Sequence, residues 1–225
     1  MDGDIDRTLS ACEAALSRPG KIDLIGLGFW RAVSRVKRHP DLIPTYGARI
    51  ARIDREAFLR AAPIALPASV GFALEVLSTI VVLAMIGVAP RAPVLVGPAL
   101  YITGTAGLIA ATHGLTHVLV GSAMGMRFTH FYAIPPFKPQ PGFKTDYATY
   151  LRVPARSRAW MHASGAIVSK VIPFAVAGFA AATGAPTWTL AILLGIGVLQ
   201  LVTDFTLSTR TSDWKKFKRE MRFAS

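Results

Sequence analysis

Residues Gly71–Val88 read GFALEVLSTIVVLAMIGV, with a single charged side chain, Glu75. The apolar window around them runs from about Pro63 to Val88, and roughly 20 such residues are needed to span a bilayer. Three more windows of this kind follow, from about Pro93 to Gly125, His162 to Gly184 and Thr187 to Ser208. The whole chain of 225 residues is 52% hydrophobic and 17% charged, with a mean hydropathy of +0.43. A soluble domain carries about 25% charged residues. The expected fold is an all-α integral membrane protein with four transmembrane helices. Met1–Asp6 is acidic and polar, so no signal peptide is expected. The single cysteine, Cys12, excludes an internal disulfide.

A net charge of +12 invites a nucleic-acid reading, and its placement argues against one. Of the 25 Lys and Arg, 11 precede the first span, 6 lie between Arg127 and Arg158, and 6 lie between Arg210 and Arg222. Only Arg91 and Lys170 fall elsewhere. With four spans, all three basic segments share one side, which the positive-inside rule makes cytoplasmic. Both termini and the loop between helices 2 and 3 are therefore expected in the cytoplasm, with the chain in the inner or plasma membrane. The partner implied by the charge is the anionic lipid bilayer. No nucleic-acid motif is present.

Three parts are expected: a cytoplasmic segment 1–62, a transmembrane domain 63–209 with a cytoplasmic loop 126–161, and a basic tail 210–225. In the first part, Phe29, Trp30, Val33 and Val36, then Tyr46, Ile50 and Ile53, recur at helical spacing. His39-Pro40 separates the two helices. They are expected to lie on the membrane or to pack on the loop. In the loop, the prolines of Tyr132–Phe143 forbid a regular helix and allow extended or edge-strand backbone. Thr145–Val153 is rich in aromatic and β-branched residues, which suits a short strand. Ser212–Lys218, SDWKKFK, reads as an interfacial anchor.

The candidate site lies in the second span, Thr112-His-Gly-Leu-Thr-His117. Residues at i and i+4 stand about 40° apart around a helix, so His113 and His117 share a face. Imidazoles held in hydrocarbon are costly and usually functional. The spacing is the chelating half of H-E-x-x-H, with Gly114 where the glutamate belongs.

The order of features resembles the site-2 protease family, the zinc-dependent intramembrane metalloproteases. After the histidines, Val118–Phe131 is similar to the family's run of small residues, a glycine and then an extended segment. Arg158–Lys170 is similar to its Arg…Ala-Gly-Pro…Asn element, with Ala166 and Ser169 in place of Pro and Asn. The resemblance covers roughly residues 95 to 215. It implies a zinc ion held by His113, His117 and Asp204, the last in the place of the family's carboxylate ligand. It also implies a transmembrane protein substrate.

The missing glutamate leaves two outcomes: a proteolytically inactive relative, or a peptidase with its base supplied from elsewhere. Glu75 is the only other span acid placed to serve. At about 1.5 Å rise per residue it lies about 18 Å from the cytoplasmic start of its helix, a depth similar to that of His113. Gly114 leaves room for a side chain from a neighbouring helix. Duller readings stand beside these. The histidines can serve interhelical hydrogen bonds, Asp204 can pair with Lys170, and His162 can be an interface residue or a fourth ligand. A non-catalytic accessory subunit of a larger membrane complex is the alternative function.

Overall fold

The computed structural model describes residues 2–134, 138–206 and 212–224. Four helices are long and apolar enough to cross a membrane: α4 (Ala68–Val88, extended by one 3-10 turn), α5 (Val96–Ala123), α7 (Ala155–Ala182) and α8 (Thr187–Thr206). Leu77, Ile80, Val81, Val198 and Leu199 stand exposed on α4 and α8, as lipid-facing side chains do. The inner faces close on Ile86, Tyr101, Leu108, Ile172, Val176 and Leu193. The expected end of the fourth span at Ser208 lies outside the described residues.

The N-terminal segment forms a small core of its own. Helices α1 (Asp2–Leu16), α2 (Phe29–Arg38) and α3 (Ile43–Ala61) bury Ile5, Leu9, Phe29, Val36, Ile50 and Ile53 together. Full burial of each such side chain is worth about 1.5–3 kcal/mol. Leu151 joins this core from the segment between α5 and α7, so the two amphipathic helices pack on that segment and on α1.

Two expectations about this segment need correction. The protein is not all-α: β1 (Ile64–Pro67), β2 (Phe128–Ile134) and β3 (Lys138–Thr145) form an antiparallel sheet in the order β1-β2-β3. Residues Ile64–Pro67 pair with Ala133–His130, a long-range pairing that no local pattern announces. The proline-bearing β3 takes an edge, where missing N–H donors are tolerated; Pro135–Phe137 lie outside the described residues. The expected strand over Thr145–Val153 is instead a short helix, α6 (Tyr147–Arg152). Asp146 caps it by accepting from Ala148 N at 3.3 Å, and the N-cap outweighs the β propensity of the residues that follow.

The tail also departs from a simple anchor. Ser212 caps α9 (Asp213–Met221), which packs along α7, with Phe217 edge-on to Trp160 at 5.4 Å between ring centroids. That packing brings the C-terminal segment against the bundle.

Candidate metal centre

His113 and His117 project from the last third of α5 toward α7. The helices approach closely because residue 165 is glycine. A Cβ there would stand 2.5 Å from His117 Nε2 and 2.8 Å from the His113 carbonyl oxygen.

Partners on α7 set the protonation of both rings. His117 Nδ1 lies 2.7 Å from the Met161 carbonyl, which only accepts, so this nitrogen carries the proton. Ser169 Oγ donates its own hydrogen to the Gly165 carbonyl at 2.8 Å. It must therefore accept from His113 Nδ1, 2.9 Å away. With Nδ1 protonated on each neutral ring, both Nε2 atoms present lone pairs. They stand 3.3 Å apart.

A carboxylate completes the convergence, and it is Asp213 from α9. Its Oδ2 lies 3.0 Å from His113 Nε2 and 3.3 Å from His117 Nε2. Its other oxygen accepts from Lys216 Nζ at 2.9 Å. Burial opposes charge on Asp213, while Lys216 beside it and any proton shared with the two ring nitrogens hold its carboxyl well below the usual range. Three acceptor atoms in mutual contact repel unless a cation joins them, either a proton on a ring or a metal ion. Tetrahedral bonds of about 2.0–2.1 Å place ligand atoms about 3.3 Å apart. The observed 3.0, 3.3 and 3.3 Å match that spacing. Two imidazoles and a carboxylate form a set that zinc accepts, with a fourth position left for substrate. The ring partners Met161 and Ser169 are the outer hydrogen bonds that ligating histidines normally carry.

Asp204, the carboxylate expected at this position, forms an ion pair with Lys170 across α7 and α8. It lines the same cavity as the histidines, while Asp213 stands at the ring nitrogens. His162 Nε2 is 2.9 Å from the Tyr150 hydroxyl, and it too lines the cavity without joining the three convergent residues.

Glu75 of α4 reaches the same helix at Gly114. It is 4% exposed, and neither carboxylate oxygen has a hydrogen-bond partner among the described residues. A Cβ on Gly114 would meet its Oε1 at 2.6 Å and its Oε2 at 3.0 Å. The carboxylate of α4 thus fills the space that a side chain at position 114 would occupy.

The cavity beside these groups measures about 720 Å³. Gly114, His113 and Asp213 line it, together with Phe128, Tyr132 and Phe143 of the sheet.

Sequence reasoning missed Asp213, Ser169 and Gly165 as parts of the site. Only the carbon-free side chain of Gly165, between small residues in an apolar run, signalled a close helix approach. No protein-family model, curated protein or solved structure matches this chain.

Proposed function

We propose that this chain is a membrane-embedded zinc hydrolase of the site-2 protease type, with His113, His117 and Asp213 as ligands and a transmembrane protein segment as substrate. The observation that carries the reading is the convergence of three acceptor atoms at tetrahedral spacing, with both histidine tautomers set from behind. Bound zinc supplies Lewis-acid polarisation of a peptide carbonyl and of the attacking water. The resemblance in motif order supports the peptidase class.

Glu75 decides between an active enzyme and an inactive relative, and we favour activity. A buried carboxylate with no partner is expensive, and this one is packed against the glycine of the histidine motif. In the proposed reaction a Glu75 carboxylate oxygen takes the proton from water and returns it to the leaving amide nitrogen. His113 and His117 stay oriented by Ser169 and Met161, and α7 and the sheet limit bulk water. The distribution of basic residues supports a cytoplasmic position for both termini and the 126–161 segment, and in this reading the site opens toward that side.

Metal analysis of the purified protein tests the proposal. One zinc per chain is expected in the wild type, and none in a folded His113→Ala, His117→Ala double variant. Folded wild-type protein without stoichiometric metal would favour the accessory-subunit alternative.

A further inference from the structure

Helix α9 brings Asp213 to the histidines from outside the four apolar helices, so its seating decides whether the third ligand is present. Glu220 lies seven residues after Asp213. Two turns of helix put the two acids about 20° apart around the axis and about 10 Å apart along it. Glu220 is fully buried. Its Oε1 accepts from Lys37 Nζ at 2.5 Å, and its Oε2 accepts from Arg158 Nε at 2.8 Å. Arg158 also donates to the Val153 carbonyl at 2.7 Å. Lys37 sits over the Tyr150 ring, 4.9 Å from its centroid. One carboxylate thus ties together α2 of the N-terminal domain, the start of α7, and α9.

Buried ion sets are weak sources of stability, and their best-attested use is to fix register. Register is what matters here. Sliding α9 by one turn moves Asp213 by about 5.4 Å, well beyond the 3.0–3.3 Å at which it meets the ring nitrogens.

We propose that Glu220 is a positioning residue for Asp213, and that the N-terminal helical domain governs metal occupancy through the Lys37–Glu220–Arg158 clamp. The inference rests on the metal-centre reading above and adds a controlling element to it. A change at the N-terminal domain that withdraws Lys37 loosens α9 and weakens the third ligand, although Lys37 touches none of the ligands.

The test uses the full chain in detergent, titrated with zinc against a chromophoric chelator and with Co(II) by visible absorption. Lys37→Met and Glu220→Gln are expected to weaken zinc binding about 10- to 100-fold, as loss of an outer-sphere support does. Their Co(II) spectra are expected to show loss of a ligand. Asp54→Asn is the control, because it breaks another buried ion pair, with Lys144 at 2.5 Å, that joins α3 to β3 and leaves α9 alone. It should keep wild-type affinity and spectrum even where thermal stability drops. If Glu220→Gln does not fold, Lys37→Met carries the test, since Glu220 keeps its Arg158 partner. Wild-type affinity and spectrum in folded clamp variants overturn the inference, as does equal weakening by Asp54→Asn. Absence of metal from the wild type instead sinks the metal-centre reading. The clamp is then judged by hydrogen exchange over residues 212–222, where faster exchange confined to the clamp variants upholds it and unchanged exchange refutes it.

Discussion

The Glu75 carboxylate on α4 occupies the space above the α-carbon of Gly114 on α5, 2.6 Å from where a Cβ would stand. The two residues are complementary in space: a side chain at position 114 would meet the Glu75 carboxylate, which would have to turn aside to admit it. The glycine between the two histidines and the acid presented from the adjacent helix are thus one arrangement.

The ligand set gives the most direct expectation. Asp213→Ala should reduce zinc to well below one per chain, because it removes the atom that meets both ring nitrogens. Asp204→Asn should leave zinc near one per chain, because its partner is Lys170. Elemental analysis of the two folded variants checks both, and the reverse pattern would exchange their roles.

Gly165→Ala should damage the centre without touching a ligand. The new methyl would overlap His117 Nε2 and the His113 carbonyl oxygen, and the latter is backbone. Overpacking of this kind costs about 1–3 kcal/mol, and relief by separating α5 from α7 would pull His117 from the Met161 carbonyl. Lower thermal stability together with weaker zinc binding is the expected pair of results. Wild-type zinc affinity in this variant would show that the close approach is not what seats His117.

How much of this was legible in the sequence follows from the range of the forces involved. The four long helices announce themselves because hydrocarbon length and backbone satisfaction act on contiguous residues. His113 with His117, and the depth match of Glu75 with His113, depend only on helix angle and rise. Asp213 is different. It sits in a charged run, SDWKKFKRE, that reads as a solvated tail. What brings it inward is the burial of Glu220 against Lys37, a contact across 183 residues. The pairing of β1 was hidden for the same reason, since it finds β2 only after α4 and α5 have returned the chain. Helix α6 is the exception, because the Asp146 cap was present to be read.

Acid should release α9 through Glu220. Burial raises the affinity of this carboxyl for a proton, but Lys37 and Arg158 outweigh it and hold the group below its ordinary 4.5. The folded state therefore binds fewer protons than the unfolded state just below pH 4.5. The stabilisation is complete above that pH and is lost as pH falls through the lower folded-state value. Lys37, brought down by burial to about 8, remains cationic throughout this window, and Tyr147 and Tyr150, pushed upward by burial, remain neutral phenols. Fluorescence of Trp214, which packs on Phe217 within α9, should report a transition below pH 4.5. Exposed Asp4 and half-buried Glu13 are also held low by their arginine partners, so the decisive comparison is with Glu220→Gln, which should lack this step.

The relocated acid is tested by exchanging the pair. Gly114→Glu alone writes H-E-x-x-H into the chain but sets a side chain against the Glu75 carboxylate, which lies 2.6 Å from the new Cβ. The Glu75 carboxylate would have to turn aside, and two carboxylates close together would repel, so the single variant should be less stable and poorly active. Glu75→Gly alone should retain zinc, since Glu75 is none of the three convergent residues, and should lose hydrolysis. The double variant Glu75→Gly, Gly114→Glu relieves the overlap and supplies an acid from α5, so its stability should exceed that of Gly114→Glu. If the substrate channel accepts the new position, cleavage of a transmembrane test peptide should return in the double variant above the level of either single variant. Thermal melts and that cleavage assay on the four proteins form a double-mutant cycle. Strictly additive stability effects would show that residues 75 and 114 do not share the space. Undiminished cleavage by Glu75→Gly would remove Glu75 from the chemistry and leave proton transfer to another group.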